Sequence, residues 1–312
     1  MLPPTLKELD GKLLGELVAS TDEGLRREAV RTLGHSPIPE RDQLLRGIAA
    51  DVSLDANLRA DAVAGLAPVD PHAKLNDATR ELLLKFVREY KHGLQIEAIR
   101  SLRGSAIAKP DQPAGDPKFV EALKFARGEL ERMLRRAPEG IFPSMEAVDF
   151  ALGKRFTEKP SLTADQQPLI DIPFPEAGRR VFFHTNSAGC FKCHTVGGRG
   201  GQVGPDLTVI ARTMDRQKLA ESILEPSKEI SPQFTTWAIE TTSGKVLTGM
   251  LLGEELNGDL RLGDNTGKIF FVPFKEIETR SPLKTSIMPE KLHELMTPSE
   301  FRDLVAYLET LK

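Results

Sequence analysis

Residues 190–194 read Cys190-Phe-Lys-Cys-His194, and they contain the only two cysteines of the 312-residue chain. Two thiols separated by two residues and followed directly by a histidine form the attachment signature of a c-type haem. The thiols add to the two vinyl groups of one porphyrin, and the adjacent imidazole reaches the iron. The sequence therefore predicts one haem c, attached covalently through Cys190 and Cys193, with His194 as the proximal iron ligand.

A paired cysteine motif has two other common uses besides haem attachment. A structural zinc ion usually takes four protein ligands, commonly with a second paired motif. A thioredoxin-like motif belongs to a βαβ context, which the surrounding sequence lacks. Haem attachment is the favoured interpretation, and it leaves no cysteine for a disulfide. The other histidines contain no pair at zinc-finger spacing: His35, His72, His92, His184 and His293.

The second axial ligand of the iron should be a methionine or a histidine. Met288 stands in the segment Ser286-Ile-Met-Pro289, where the proline removes an amide and stiffens an extended loop that can present a thioether to iron. Met288 is therefore the predicted ligand, with His293 and a five-coordinate iron as alternatives. The less favoured candidates are five methionines interpreted as packing or N-terminal residues, and one histidine before the motif: Met133, Met145, Met214, Met250, Met296 and His184.

The N-terminal part of the chain repeats one helical pattern. Leu25–Leu33, Leu58–Leu66 and Leu94–Leu102 carry apolar residues at i, i+4, i+5 and i+8, at intervals of 33 and 36 residues, which makes one apolar helix face. Such a recurrence is typical of stacked helix pairs. Residues 1–140 are therefore predicted to form a HEAT-like α-solenoid, with an ordinary helical bundle as the alternative. Prolines between the units should stop helices: Pro37, Pro39, Pro68, Pro71 and Pro110.

Residues 141–173 are predicted to be a linker that contains one short helix around Ala147. Proline recurs through this stretch and interrupts regular structure. The prolines concerned are Pro143, Pro160, Pro168 and Pro173.

Residues 174–312 are organised differently. Residues 175–186 are predicted as a helix leading into the haem motif, with Gly178 and Phe182 on one face. Residues 197–207 are too rich in glycine for regular structure, and they lack the Gly-Lys-Ser/Thr ending of a phosphate-binding loop. Residues 216–224 are predicted to form a short amphipathic helix.

Between residues 232 and 282 the apolar residues alternate with a period of two, which predicts a small antiparallel sheet or barrel. The chain then returns to helix at Thr297-Pro-Ser-Glu300, a capping box with proline at the first helical position. The predicted fold class is mainly α with a small β insert: an α-solenoid followed by a helical domain that carries the sheet. Four strands are expected, at residues 237–241, 246–252, 260–262 and 269–272.

Residues 174–312 resemble a class I cytochrome c domain, and more narrowly the haem-binding domain of the Pirellula/Verrucomicrobium (planctomycete) type. That family is similar in carrying, in order, C-x-x-C-H, G-G-x-x-G-P-D-L, a helix ending in I-L-x-P-S, a β-rich insert, S-x-M-P and a last helix ending in Tyr-Leu. Helical repeats often precede the domain in this family. The corresponding segments are Cys190–His194, Gly200–Leu207, Ile223–Ser227, the insert, Ser286–Pro289 and Tyr307–Leu308.

The resemblance implies roles for further residues. The Pro205 carbonyl should accept a hydrogen bond from Nδ1–H of His194, which fixes the tautomer of the imidazole. Leu207 should pack on the proximal side of the porphyrin. The helix crossing typical of cytochromes c should bring Gly178 and Phe182 against Leu304 and Tyr307.

The composition excludes several other classes. A net charge of −3 gives no electrostatic footprint for nucleic acid or for an anionic membrane. No apolar run approaches the roughly 18–20 residues that span a bilayer. No secretory signal is visible at Met1, yet covalent haem attachment predicts a periplasmic or otherwise exported protein. The resemblance implies that the chain is a piece of a larger dehydrogenase-like protein.

The predicted function is one-electron transfer between redox partner proteins, a donor dehydrogenase and a respiratory acceptor. Iron held by an imidazole and a thioether has both axial positions filled, so a substrate could bind only after a ligand leaves. Two alternatives stay open. One is a repeat-based docking or scaffold module with the haem as its electron port, and the other is a five-coordinate haem peroxidase or sensor.

Overall fold

The computed structural model describes residues 9–70, 73–103, 116–135, 141–159 and 174–312. Within these ranges the chain forms eleven α-helices and one five-stranded antiparallel sheet, beside a two-stranded hairpin. The predicted fold class is confirmed at this level: mainly helical, with a small antiparallel sheet. Several sequence expectations lie outside the described residues, namely those on His72, Pro71, Pro110, Pro160, Pro168 and Pro173.

Contacts divide the chain into two compact units. The helical unit comprises Leu2–Ala188 and Glu294–Tyr307, and the sheet unit comprises Gly189–His293 and Leu308–Lys312. The predicted domain 174–312 is therefore distributed over both units, because the segment before the haem motif and most of the last helix group with the N-terminal helices.

In the described part of the chain before residue 152, eight helices share one hydrophobic core. The three repeated segments form the second, fourth and sixth of them, as predicted. Helices two, four, six and eight pack in succession, and so do three, five and seven. The eight are α1 (Gly11–Val18), α2 (Glu23–Leu33), α3 (Arg41–Ala50), α4 (Ala56–Gly65), α5 (Asp77–Arg88), α6 (His92–Arg103), α7 (Pro117–Leu134) and α8 (Phe142–Ala151).

Two local features of these helices were set by the sequence. The starts of α1, α2, α4, α5 and α7 are capped by aspartate or asparagine side chains. Asp22 Oδ1, for example, accepts from the amide of Leu25 at 2.8 Å, which satisfies a free helical N–H. Helix α8 was predicted as a short helix within a linker. Its residues Ala147, Val148 and Ala151 are at most 2% exposed in the shared core, so burial makes it the last helix of the N-terminal array.

Helices α9 (Pro175–Phe183) and α11 (Pro298–Glu309) cross at close range. A Cβ placed on Gly178 would lie 1.8 Å from the carbonyl oxygen of Asp303, so only glycine permits this approach. The Phe182 and Tyr307 rings meet edge to face with centroids 5.9 Å apart. Helix α9 ends three residues before the predicted residue 186, because His184 is extended with ψ 132°.

The capping box at the start of α11 is present as predicted. The Thr297 amide donates to Glu300 Oε2 at 2.9 Å, and the Glu300 amide donates to Thr297 Oγ1 at 3.2 Å. These reciprocal bonds satisfy two amides that would otherwise lack partners at the helix start.

A chain of ion pairs runs through the interior of the helical unit. Arg180 of α9 donates to Asp61 at 3.2 Å and to Glu97 at 2.8 Å. Arg100 pairs with Glu97 and, at 2.8 Å, with Glu300 of α11. The five side chains named here are at most 5% exposed. These charged residues have the residue types of an ordinary helix surface. In the structure they form the ion pairs that join α9 and α11 to the repeated helices.

Two further arginines, Arg31 and Arg103, extend this series of ion pairs at its two ends. Arg31 of α2 donates to Asp61 at 2.9 Å and to Glu28 at 2.8 Å. Burial alone would raise the pKa of Glu300, but Arg103 and Arg100 outweigh it and hold that pKa below its ordinary value. Glu28, Asp61 and Glu97 occupy the same position in the three repeated segments, so the acids recur with the helices.

The sheet unit contains the predicted β insert, with one strand more than expected. The strands are β3 (Thr236–Thr241), β4 (Val246–Glu254), β5 (Leu260–Gly263), β6 (Ile269–Val272) and β7 (Ile277–Pro282). Their order in the open sheet is β6-β5-β4-β3-β7. The additional strand β7 pairs with β3 at the edge and is exposed except at Ile277. Gly244 and Gly267, in the turns before β4 and β6, have φ of +78° and +87°.

Two shorter elements complete this unit. Helix α10 (Arg216–Leu224) lies where it was predicted. The glycine-rich stretch was expected to be irregular, but Thr195–Val196 and Arg199–Gly200 form the two-residue strands β1 and β2 of a tight hairpin. That expectation was wrong because Gly197 and Gly198 adopt the positive φ values, 57° and 77°, that a two-residue hairpin turn requires.

Candidate functional site

The cysteines and the histidine of the motif lie on one tight turn. Gly189 enters it with φ +69°, and Cys190–Lys192 form a single 3₁₀ turn. The Cys190 carbonyl accepts from the amides of Cys193 at 3.2 Å and His194 at 2.9 Å. Both thiols are free and half-buried. The backbone therefore holds two thiols and one imidazole together within five residues.

The thiols do not have the electrostatics of a redox-active pair. Burial raises the pKa of Cys190 to about 12. Burial also raises the pKa of Cys193, with a further contribution from Asp264. Catalytic Cys-x-x-Cys pairs instead have a lowered pKa, which makes the attacking thiolate. These two cysteines are protonated at neutral pH, which disfavours the thioredoxin-like alternative.

The imidazole of His194 is held in one tautomer. Its Nδ1 lies 2.9 Å from the carbonyl oxygen of Pro205, and because a carbonyl can only accept, Nδ1 carries the hydrogen. Burial lowers the pKa of His194, although the bond to Pro205 opposes this. The ring is thus neutral at pH 7 with the lone pair on Nε2, which is the form that coordinates a metal. The hydrogen bond implied by the family resemblance is present.

The glycine-rich loop after the motif is folded directly onto it. A Cβ on Gly204 would lie 2.6 Å from Cε1 of His194, and one on Gly201 would lie 1.9 Å from the Lys192 carbonyl. The amides of Gly201 and Gly204 donate to the Phe191 and Cys193 carbonyls, both at 2.7 Å. This role of the loop was not predicted from the sequence. The signal was the glycine run itself, which allows backbone to approach the imidazole.

The β insert also contacts the motif, which the sequence did not reveal. A Cβ on Gly267, in the β5–β6 turn, would lie 2.3 Å from the Lys192 carbonyl. A Cβ on Gly263 would lie 2.6 Å from the side chain of Val203. Because glycine has no side chain, Gly263 and Gly267 allow the sheet to pack closely against the loop and the motif.

Met288 and Leu207 belong to the same unit as the motif. Met288 is half-buried in an irregular segment, where its amide donates to Ser286 Oγ at 3.1 Å and the Ser286 amide donates to Ser227 Oγ at 3.2 Å. Leu207 is half-buried, and its amide donates to the Thr195 carbonyl at 2.8 Å. These contacts fix the backbone at both residues. Their roles as an axial ligand and as a wall of the haem site remain predictions.

The competing residues are distributed as follows. Met250 and Met296 are 4% and 1% exposed, in agreement with their interpretation as packing residues. Met133 and Met145 pack against the core of the helical unit. His293 is 6% exposed, and its Nδ1 has no hydrogen-bond partner among the described residues. His293 therefore stays the alternative to Met288.

His184 is engaged at both ring nitrogens. Its Nδ1 accepts from the Asn186 amide at 3.0 Å, and its Nε2 lies 3.2 Å from Ser101 Oγ. The side chain is 3% exposed, and burial, followed by Arg100 and Arg103, holds the pKa of His184 well below its ordinary 6.5. This histidine is a neutral core residue with no free nitrogen for a metal.

The state of His184 predicts a pH dependence of stability. Below about pH 6.5 the unfolded chain binds a proton at this imidazole and the folded chain does not, so stability present above pH 6.5 should fall as the pH drops toward the lower folded-state pKa. The limiting slope is about 1.4 kcal/mol per pH unit. Urea unfolding between pH 7.5 and 5 should show a steeper pH dependence in the wild type than in His184→Gln, which keeps the contribution of His194. An unchanged slope in the variant would contradict the assignment.

Among the residues that the structure describes, no group of three or more His, Cys, Asp or Glu side chains is placed to hold a metal ion. A site made by one histidine and one methionine contains only one side chain of those types. In the same part of the chain, no helix combines the length and the apolar character needed to cross a membrane.

Comparison with models of known protein families finds no match to this chain, and neither does comparison with curated proteins.

Proposed function

We propose that this chain is an electron-transfer protein that carries one haem c, bound covalently through Cys190 and Cys193 and coordinated by His194 and Met288. The observation that carries the proposal is the state of His194. It directly follows the second cysteine, it is neutral, and its Nδ1 is committed to Pro205 at 2.9 Å. Nε2 is thereby left to coordinate iron, in the way that metal-bound histidines are usually oriented.

The other residues of the site fit a covalently held porphyrin. The thiols are unpaired and protonated, so they are available for thioether bonds and are poor redox nucleophiles. Gly204 lets the backbone pack against the imidazole and hold it in place, where a Cβ would lie 2.6–3.1 Å from three ring atoms. When bound, haem would supply a one-electron iron couple whose potential methionine ligation raises. The chain would hold that iron at two side chains and leave no position for a substrate.

The fold supports this proposal in two places. The close crossing of α9 and α11 at Gly178, with Phe182 against Tyr307, is the contact that the resemblance to class I cytochromes c implies. The alternate packing of α2–α8 into two rows, with the repeated segments in one row, favours HEAT-like repeats over an ordinary bundle. We propose a solenoid of four helix pairs followed by a cytochrome c arrangement with the sheet as its insert.

The chemistry of haem attachment indicates the cellular compartment and the partners of the protein. Haem c is attached outside the cytoplasm in bacteria, so we propose an exported, periplasmic protein. A dehydrogenase would reduce it and a respiratory acceptor would oxidise it. The helical repeats would be the surface that docks one of these partners, since solenoids present extended binding surfaces.

The proposal is tested by the optical absorption spectrum and the mass of the matured protein. Exported together with a haem c maturation system, the protein should gain roughly 616 Da and show c-type bands when reduced. The oxidised form should show a weak band near about 695 nm from the iron–methionine bond. Met288→Ala should abolish that band while keeping the mass increase, and the matched variant His293→Ala should keep both.

Three outcomes would contradict parts of the proposal. Absence of the mass increase in matured material would remove the haem. A 695 nm band that survives in Met288→Ala would remove Met288 as ligand. Rapid binding of carbon monoxide to the reduced wild type would favour the five-coordinate peroxidase or sensor over the carrier.

A further inference from the structure

A small cavity in the helical unit lies where α2 and α4 end beside α9. Its volume is about 40 Å³, and since one water needs roughly 10–15 Å³ by this measure, it has space for about three waters. Three arginines, Arg31, Arg179 and Arg180, and one acid, Asp61, are among the residues that line it. The lining is therefore rich in positive charge.

Two of the three arginines are already neutralised. Arg31 donates to Asp61 at 2.9 Å, to Glu28 at 2.8 Å and to Glu176 at 2.6 Å. Arg180 donates to Asp61 and to Glu97, as described above. The Asp61 carboxylate is thus shared between these two arginines and is not free to pair with the third.

Arg179 has no such partner. Its guanidinium stacks on the Phe183 ring with Cζ 4.7 Å from the centroid, and it makes no hydrogen bond or ion pair with any residue that the structure describes. Burial lowers the pKa of Arg179 to about 10 and the nearby Arg31 adds to this, whereas Asp61, Tyr307 and Glu28 oppose the shift only in part. This partly buried guanidinium is therefore held in place by an aromatic ring and has no hydrogen-bonded anion among the described residues.

Backbone carbonyls do not fill this role. The chain turns at Gly34, Gly65 and Ala67 line the same cavity at the ends of α2 and α4, and helix C-termini attract cations. The carbonyl oxygens of all three residues, however, accept from the guanidinium of Arg41, those of Gly34 and Ala67 at 3.1 Å and 2.6 Å. The end of the helices is therefore already occupied by another arginine.

A hydroxyl group provides a second donor. Thr185 lines the cavity, and its Oγ1 is buried without a hydrogen-bond partner among the described residues. Arginine presents a planar fork of N–H groups that matches the two oxygens of a carboxylate, and a threonine hydroxyl can donate a further bond to one of them. We infer that this cavity binds a small free carboxylate, of formate or acetate size, between Arg179 and Thr185. The inference does not depend on haem.

The experiment measures binding of formate to the intact chain. Thermal unfolding of the wild type should shift upward by several degrees on replacing sodium chloride by sodium formate at constant ionic strength, because a ligand bound only by the folded state stabilises it. The shift should be lost in Arg179→Gln and reduced in Thr185→Val. The matched variant Arg88→Gln, at an exposed position of α5, should keep the full shift and so correct for general salt effects.

A second measurement uses the wild type alone, so it does not rely on folding of the variants. The NMR line of ¹³C-labelled formate should broaden on adding the protein, and unlabelled acetate should reverse the broadening, whereas sulfate should not. A wild type without broadening and without a formate-specific shift would overturn the inference. An Arg179→Gln or Arg179→Lys variant that keeps the wild-type response would overturn it as well, since both lose the guanidinium fork.

Discussion

Replacing Glu97 by glutamine is expected to lower the free energy of unfolding by about 3–5 kcal/mol, the cost of removing one partner from a buried ion pair. Glu97 is 1% exposed and bridges Arg100 and Arg180. Glutamine keeps the shape of the side chain and removes its charge. The effect therefore isolates electrostatics from packing.

The size of the effect follows from a count of buried charges. Four cations, Arg31, Arg100, Arg103 and Arg180, face three anions, Asp61, Glu97 and Glu300, all at most 11% exposed. Without Glu97 the balance changes from four against three to four against two. The remaining arginines cannot lose their protons to escape this, because a guanidinium stays charged in proteins.

The control is an acid on the surface of the same unit. Glu81 and Lys118 form an ion pair of 3.3 Å with side chains 58% and 62% exposed, and Glu81→Gln should change the free energy of unfolding by less than about 1 kcal/mol. Urea unfolding at pH 7 measures both variants. Equal effects of the two substitutions would show that the interior chain of ion pairs contributes no more than a surface pair.

The same ion pairs bear on any attempt to separate the repeats from the haem motif. A chain cut at residue 141 would leave Arg180 of α9 without Asp61 and Glu97, and Glu300 of α11 without Arg100. Loss of electron transfer in such a fragment could then reflect unfolding. A docking role of the repeats should instead be tested with substitutions on their exposed faces.

Periodicity was sufficient to place most helices and strands. The repeated leucine pattern located α2, α4 and α6, and alternation located β3 to β6. Strand β7 was not predicted because it is an edge strand in which only Ile277 is half-buried, so its sequence shows no alternation of apolar and polar residues. The burial of the charged residues was not predicted for a related reason. Asp61, Glu97 and Arg180 have the residue types of a helix surface, and they are buried only because they form ion pairs with other helices.

The sequence predicted some contacts of the candidate site and not others. Adjacent residues, such as the cysteines and His194, were fixed by the motif, because chain connectivity alone brings them together. The bond from His194 to Pro205 required the family resemblance. The seating of Gly267 against Lys192 spans 75 residues of sequence (267 − 192), and nothing local encodes a contact between a hairpin turn and a carbonyl so far away.

Replacing Gly178 by alanine is expected to lower the free energy of unfolding by about 3 kcal/mol, the upper end of the usual range for overpacking. The new Cβ would lie 1.8 Å from the Asp303 carbonyl oxygen and 2.8 Å from the Leu304 nitrogen. Both are backbone atoms, so no side chain can rotate away. An ordinary contact needs 3.4 Å, and α11 would have to retreat by about 1.6 Å (3.4 − 1.8), which would loosen Phe182 from Tyr307 and Glu300 from Arg100.

The sign of this effect separates packing from helix propensity. Alanine favours a helix over glycine by up to about 1 kcal/mol, so Gly178→Ala would stabilise α9 if the crossing could adapt. The matched variant is Gly128→Ala in α7, where the nearest atom to the new Cβ is the end of the Arg132 side chain at 3.9 Å. It should raise the free energy of unfolding by about 0.5–1 kcal/mol. Urea unfolding should thus move in opposite directions for the two variants, and a stabilised Gly178→Ala protein would mean that α9 and α11 do not require this close approach.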